Sequence, residues 1–470
     1  MNSPSTRTRR SFVALALALG TTGLTRCSKE PPLSRQPTGH DVVLIVIDTL
    51  RADRLGCYGY DRPTSPTIDE LATSGARVSD CWSQSSWTGP SMVSLMTGRH
   101  VARDFVKMAA IPTLAERLKR AGYATIGMQW NGLLKEGHGF ERGFDRYLFK
   151  PRALEIGQAL MAMPPGPRFV YIHLTDPHDP YDPGPPFDDY APRPPRSERL
   201  AEIERFLATL HPDWPTEQVR TTALNHEHAM ARMSALYDGE VERADQTVRN
   251  LLGVLERLGR RENSIVIIAA DHGESLFDHR EAPSALTGDE KFDPMKVWKM
   301  GHAALLTESL LRVPLIFQGP GIPRGVVLDG PQENIDVVPT VLELLGLPTD
   351  ELADGESLAP KFAALARAES APGKDLVFAN TAILTAVRSR SGWKLTLPWP
   401  TAPLERAALF DLRNDPREAS PLPAQGEIAE KLTRAIERFR ESALVPGRSE
   451  DVVDDEVRER MRELGYVGGK

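Results

Sequence analysis

A chain of 470 residues with 41% hydrophobic and 26% charged residues is long enough for a large buried core and has the composition of an ordinary globular protein. Its formal net charge of −7 gives no electrostatic footing for a nucleic-acid partner, which excludes that class. Three cysteines are too few for a disulfide framework, so Cys57 and Cys81 are either one bridge or two small buried residues.

At the N-terminus Arg7, Arg9 and Arg10 precede the apolar run "FVALALAL" at 12–19, which is too short to span a bilayer as a mature helix and reads as an export signal. "TRRSFV" resembles a twin-arginine signal, and "LTRC" places Cys27 where a lipoprotein cleavage box would end, with Arg26 in place of the usual small residue. Residues 1–27 are therefore expected to direct export, leaving the protein periplasmic or lipid-anchored in the cell envelope through Cys27. Residues 28–40 read as a flexible linker.

The apolar run "VVLIVI" at 42–47 ends at Asp48, as expected of a strand buried on both faces of a parallel sheet. A helix is expected at 113–121 and a strand at 123–130. "RFVYIHL" at 168–174 is a second buried strand that ends near Asp176 and His178. Residues 182–200 are rich in proline and charge and read as a loop over the site. The polar helical stretch that follows completes an insertion at about 182–230. A helix at 234–258 has Leu236, Val241, Ala244, Val248, Leu251, Leu255 and Leu258 on a helical period and stops at Gly259. "IVIIAA" at 265–270 is a third buried strand, ending at Asp271-His272, and a strand at 313–318 and a helix at 334–346 follow. From about 376 short strand-like pieces such as "TAVRSRSGWKLTL" and "AALFDLRNDP" predict a small antiparallel sheet, with an amphipathic helix in the tail "DDEVRERMRELGYVGGK".

Three buried strands that each deliver acids or histidines at their carboxyl ends are what a ligand site on an open α/β sheet requires. The expected fold class is α/β: a central, mostly parallel sheet flanked by helices at 41–375, with a small C-terminal α+β subdomain at 376–470.

The whole chain from about residue 41 resembles the sulfatase family of the alkaline phosphatase superfamily. The resemblance rests on "VLIVIDTLRADRLGCYGY", "PSMVSLMTGR", "DPHDPY", "ADHGE", "GHAALLTESLLRVPLIFQGPG", "NIDVVPTVLELLGLP", "DGESL", "LFDLRNDP" and "ELGYVG" in that order. It implies an alkaline-phosphatase-like fold, a hydrolase of sulfuric or phosphoric esters, and one divalent metal ion. The residue types agree: Asp48, Asp271 and His272 are oxygen and nitrogen ligands at strand ends, with Thr88 placed to reach the same ion. Calcium, manganese and zinc suit that donor set about equally. Pro90 fits the first turn of a helix, so Thr88 lies at a helix N-terminus that favours an anion. His178 and His302 are candidates to contact the oxyanion or protonate the leaving group, and Ser91, Arg99, Gln129 and Asn131 to contact substrate.

The sequence also departs from the family pattern. Thr88 stands where the family has a cysteine or serine that becomes formylglycine, so no formylglycine is expected. Met92 replaces the helix's arginine, and Gln129 and Asn131 flank Trp130 where the family has a lysine and a histidine. A metal-bound threonine alkoxide remains a competent nucleophile toward phosphorus, which tilts the expected substrate toward phosphate-type esters without removing sulfate-type ones. The expected partner is an anionic ester of a glycan, lipid headgroup or small molecule. Two other readings stand beside hydrolysis: a phosphodiesterase or phosphotransferase that moves a headgroup to another alcohol, and a degenerate sulfatase-like binding protein. Asp53 and Asp176 are open as outer partners of the site, and His226 and His228 are expected on different faces of a polar helix.

Overall fold

The computed structural model describes residues 37–100, 111–194, 197–210, 212–276, 302, 305–349, 353–381, 384–398 and 407–442. The expected export signal, most of the linker and the tail helix lie outside them. Eight strands, β1 (Asp41–Ile47), β2 (Ala76–Trp82), β3 (Ala124–Gln129), β4 (Arg146–Phe149), β5 (Arg168–Leu174), β6 (Ser264–Ala269), β7 (Arg312–Gln318) and β8 (Val326–Glu333), form one sheet in the order β4-β3-β5-β1-β6-β7-β2-β8. β7 is antiparallel to both neighbours, and the other pairings are parallel. The α/β, mostly parallel fold read from the apolar runs is therefore the fold observed.

All seven residues of β1 and all six of β6 are buried, which is why both read as unbroken apolar runs. Each fully buried Val, Leu or Ile contributes about 1.5–3 kcal/mol, so the strands that carry the site are also the best anchored. Helices cover the sheet: α1 (Pro66–Thr73), α2 (Thr88–Thr97), α3 (Leu114–Arg120), α4 (Ala153–Met161), α5 (Ser197–Leu210) and α6 (Thr216–Arg257). At the start of α1, Asp245 of α6 accepts from the backbone N–H groups of Thr67 and Ile68 at 3.1 and 2.8 Å, satisfying donors a helix cannot pair internally.

α6 is longer than the expected 234–258. Its polar first half carries Val219, Ala223 and Met230 onto Ile203 and Leu207 of α5, a separate small core that a search for one continuous apolar stripe passes over. On that half His226 is half-buried and His228 exposed. The loop from residue 182 to 194 lies on α6: a Cβ at Gly239 would come within 2.0 Å of the Phe187 carbonyl oxygen, so only glycine allows this approach. Asp182 N–H donates to Glu240 at 2.8 Å, and Arg243 pairs with both Glu240 and Asp176.

A second, antiparallel sheet has the order β12-β11-β10-β9, from β9 (Leu376–Asn380), β10 (Leu384–Ser389), β11 (Trp393–Pro398) and β12 (Ala408–Asp411). A helix at Gly426–Ser442 packs Ala429, Leu432, Ala435 and Ile436 on it. The two sheets meet at Lys394, fully buried, whose ammonium pairs with Glu308 at 3.2 Å and Glu418 at 2.6 Å and lies 4.9 Å from the centre of the Trp82 ring. Cys57 and Cys81 are free thiols, so the single bridge is not formed.

Burial raises the Glu240 carboxyl and Asp176 adds to this against the pull of Arg243, leaving it pushed up to about 7. The folded state thus holds this proton more tightly than the unfolded chain. Its stabilisation is complete below the ordinary value of 4.5 and is lost as pH rises through about 7. Glu240→Gln keeps an acceptor for Asp182 and should flatten the dependence of Tm on pH across that window; an unchanged slope in the variant would place its source elsewhere.

Candidate metal centre and active site

The site begins where β1 ends. Asp48 is fully buried, and Thr49 after it has φ +57°, a left-handed conformation that is strained for a β-branched residue. The turn is held from three sides. The Tyr237 hydroxyl of α6 donates to the Thr49 carbonyl at 2.7 Å and accepts from Arg51 N–H at 3.0 Å, while Thr49 N–H donates to Asp271 Oδ1 at 3.2 Å.

β6 delivers Asp271-His272-Gly273-Glu274, all buried. The chain leaves by passing directly under the Ser309 carbonyl, which a Cβ at Gly273 would approach to 2.0 Å. Asp271 Oδ1 also accepts from His272 N–H at 2.9 Å. His272 Nδ1 lies 2.9 Å from the Gly273 carbonyl, an acceptor that assigns the ring proton to Nδ1 and leaves the Nε2 lone pair facing the site.

The remaining donors converge. Asp48 Oδ1 and Asp271 Oδ2 are buried without a hydrogen-bond partner, and they stand 3.7 and 3.5 Å from His272 Nε2. The three ligand atoms lie within 4.8 Å of one another. Metal–ligand bonds of about 2.0–2.6 Å at open angles give donor separations of this size. The charges agree: burial and the neighbouring Asp48 raise the Asp271 carboxyl, and burial holds His272 below its ordinary value, neutral as a ligand must be. Burial would raise Asp48 as well, but His173 and His178 hold it well below the usual carboxylate range. Residues 48, 271 and 272 therefore fit one divalent cation.

α2 brings Thr88 to this cluster. Trp87 holds the capping position and Thr88 the first helical one, so the Thr88 hydroxyl is not used as a cap. Its Oγ1 lies 3.4 Å from His272 Nε2 and 3.3 Å from Asn131 Nδ2. Asn131 also donates to Asp48 Oδ2 at 2.6 Å. Gln129, at the end of β3, is fully buried with neither amide atom partnered. Ser91 faces another way: its hydroxyl meets Ser83 Oγ and the Ser85 carbonyl, both at 2.9 Å, and Ser83 bonds the Asp271 carbonyl, so Ser91 ties α2 to the β6 exit. Arg99 lies past the far end of α2 and pairs with Asp354 at 2.9 Å, about 16 Å along the helix from Thr88. Met92, where the resemblance expects arginine, is fully buried in the main core.

His178 and His302 stack edge to face at 4.9 Å between ring centres, and His302 lies 4.7 Å from His272. Burial opposes a charge on His178, but Asp48 and Glu274 more than offset it, and its pKa is pushed up to about 9. Asp176 is held by Arg243, and Asp53 pairs with Arg51 at 2.6 Å, so neither reaches the cluster.

Two site residues were not singled out from the sequence. His173 of β5 sets its Nε2 3.1 Å from Asp48 Oδ2 and its Nδ1 3.1 Å from the Tyr171 hydroxyl. Glu274 sets Oε1 3.1 Å from His302 Nδ1. A histidine inside a strand otherwise built of buried side chains was the available signal for the first, and a carboxylate two residues after a ligand for the second.

Residues 40–156 and 152–347 match the family model described as Sulfatase. Steryl-sulfatase of Rattus norvegicus is 26% identical over 524 residues, covering 86% of this chain and 89% of that protein. Phosphonate monoester hydrolase of Agrobacterium radiobacter superimposes with a TM-score of 0.64 at 18% identity, covering 86% of this chain and 96% of that one. A protein solved in complex with its substrate D-glucosamine-2-N,6-O-disulfate superimposes with a TM-score of 0.65 at 18% identity, covering 88% of this chain and all of that one.

Because two buried carboxylates face each other here, a cation that binds the folded state should raise Tm, by an amount that grows with its concentration over Kd. Calcium, manganese and zinc each added to metal-stripped protein should show this, and Asp271→Asn should abolish the rise. A rise that survives in Asp271→Asn would move the ion to another site.

Proposed function

The chain belongs to the sulfatase family, and on that premise we propose that it is an exported, metal-dependent hydrolase of sulfate-type or phosphate-type esters with Thr88 as nucleophile. The observation that carries this is the meeting of the uncapped Thr88 hydroxyl with the unpartnered oxygens of Asp48 and Asp271 around His272 Nε2.

A cation held by Asp48, Asp271 and His272 supplies charge stabilisation and a lowered hydroxyl pKa at Thr88. The chain's own residues do the rest. Thr88 sits at the N-terminus of α2, where free backbone N–H groups favour the negative group being transferred. Asn131 Nδ2 bridges Thr88 and Asp48, which holds Oγ1 in place and cannot take its proton. In the first half-reaction Oγ1 bonds to sulfur or phosphorus as its proton passes to solvent water, the bond to the alcohol breaks, and the departing oxygen is protonated. His178, charged at neutral pH, is the acid the geometry favours for that proton. In the second half-reaction water cleaves the threonyl ester and restores the hydroxyl. Transfer differs only in that an alcohol replaces this water. Threonine cannot yield the formylglycine aldehyde, so turnover passes through an ester of Thr88, a route better suited to phosphorus than to sulfur.

The phosphonate monoester hydrolase and steryl-sulfatase relationships support both ester classes. Export rests on the basic-then-apolar segment at 1–27; no described helix is long and apolar enough to cross a membrane.

Purified protein supplied with calcium, manganese or zinc should cleave nitrophenyl phosphodiester or phosphonate esters, with the sulfate ester also tested. Thr88→Ala should lower kcat by at least about 10³-fold, while Thr88→Ser retains measurable turnover. Full activity in Thr88→Ala would overturn the nucleophile assignment. Release of nitrophenol with the phosphoryl group appearing on an added alcohol would make the enzyme a transferase.

A further inference from the structure

The parallel register carries the site outward along one face of the sheet. Val46 of β1 pairs with His173 of β5, His173 with Gln129 of β3, and Gln129 with Phe149 of β4. Paired residues on parallel strands share a face, and so does Asp48, two residues beyond Val46, as its contact with His173 requires. The row Asp48, His173, Gln129, Phe149 therefore runs from the metal ligands to the edge of the sheet, about 14 Å across three strand spacings. Along it the environment changes. His173 and Gln129 are fully buried, the latter with both amide atoms unpartnered, whereas Phe149 is 44% exposed.

Two lysines bracket that exposed ring. Lys135 follows the short turn after Asn131, and its ammonium lies 5.2 Å from the Phe149 ring centre; that of Lys150 lies 5.4 Å away. Among the described residues neither is in an ion pair. Lys150 also has φ +50°, a position where glycine or asparagine is the usual occupant. Its N–H donates to the Gln129 carbonyl at 2.8 Å, which fixes its place beside the row. A chain with a net charge of −7 thus sets two cations, without an ion pair among the described residues, around an exposed aromatic ring at the end of the row that leads from its site.

We propose that Phe149, Lys135 and Lys150 form a subsite for the organic part of the substrate and take a second anionic group of an extended sulfated oligosaccharide. The inference rests on the ester-cleaving reading for the identity of the reacting group, but not for the binding itself. A sugar ring packs on the exposed part of Phe149 while its sulfate groups pair with the flanking ammoniums. A small aryl ester, ending well short of 14 Å, does not reach them. Leu154 and Met161 of α4 are also exposed, at 72% and 62%, so a membrane surface is the competing occupant, which the vesicle measurement below separates from a glycan.

The test is calorimetric binding of a heparin tetrasaccharide to the full chain carrying Thr88→Ala, which prevents turnover. Lys135→Ala combined with Lys150→Gly should weaken Kd about tenfold, and raising NaCl from about 50 to about 200 mM should weaken binding in the parent and less in the double variant. Lys150→Gly relieves the left-handed strain, so its Tm should equal or exceed that of the parent, which separates lost binding from lost structure. An unchanged Kd in the double variant overturns the subsite. So does lysine-dependent binding to phosphatidylglycerol vesicles with tetrasaccharide binding unaffected. If the wild-type protein cleaves no ester yet binds the tetrasaccharide through these lysines, the subsite stands and the hydrolase reading falls.

Discussion

Two buried carboxylates, each with one oxygen satisfied by the protein and one left over, set the terms for the rest of this structure. Asp48 Oδ2 is taken by Asn131 and sits beside His173, and Asp271 Oδ1 is taken by two backbone N–H groups. The leftover oxygens face the same point as His272 Nε2. Burying like charges without a counter-charge is among the most destabilising things a fold can do. An arrangement that satisfies half of each carboxylate is one that a cation bound between them would complete.

The scaffold explains how such a cluster is held. β1 and β6 are adjacent, parallel and buried throughout, so burial fixes their registers and their carboxyl ends fall side by side. What burial does not fix is the turn after β1, where Thr49 must adopt a left-handed conformation to bring its N–H onto Asp271. Tyr237 supplies the constraint by bonding both sides of that turn from α6. The same helix pins the loop that carries Asp182 through Gly239, Glu240 and Arg243. One long helix thus stabilises both the turn that presents Asp48 and the loop beyond Asp182.

Legibility in the sequence followed the same physics. Asp48, Asp271 and His272 were readable because each ends an apolar run that only a doubly covered strand explains. Thr88 was readable from Pro90 in the first helical turn together with the family resemblance. β2 and β8 were not: "ARVSDCW" mixes polar residues into its alternation, and "VVLDGPQE" contains a glycine and a proline that ordinarily interrupt a strand. His173 was hidden because its partner, Asp48, is distant in sequence and only the β1–β5 register joins them. Arg99 shows the opposite relation. It shares a short motif with Thr88, but a helix separates its two ends by its full length, and proximity in sequence became distance in space.

The substitutions around Thr88 act together on the charge of the site. Met92 is absorbed into the core, so the place of an arginine is filled by apolar packing rather than left open. Gln129 and Asn131 offer neutral amides where a lysine and a histidine would offer cations. Among the described residues, Asp48, Asp271 and Glu274 are the buried carboxylates beside the cluster, Arg51 donates to the Glu274 carbonyl at 3.0 Å, and His178 pairs with Asp179 at 3.3 Å. With a lysine and a histidine of the family pattern replaced by amides and an arginine by Met92, the chain itself sets less positive charge around Thr88, so a bound divalent cation would carry more of the stabilisation of a transferred anionic group. The choice among ester classes then falls to the nucleophile and to contacts beyond the reacting group.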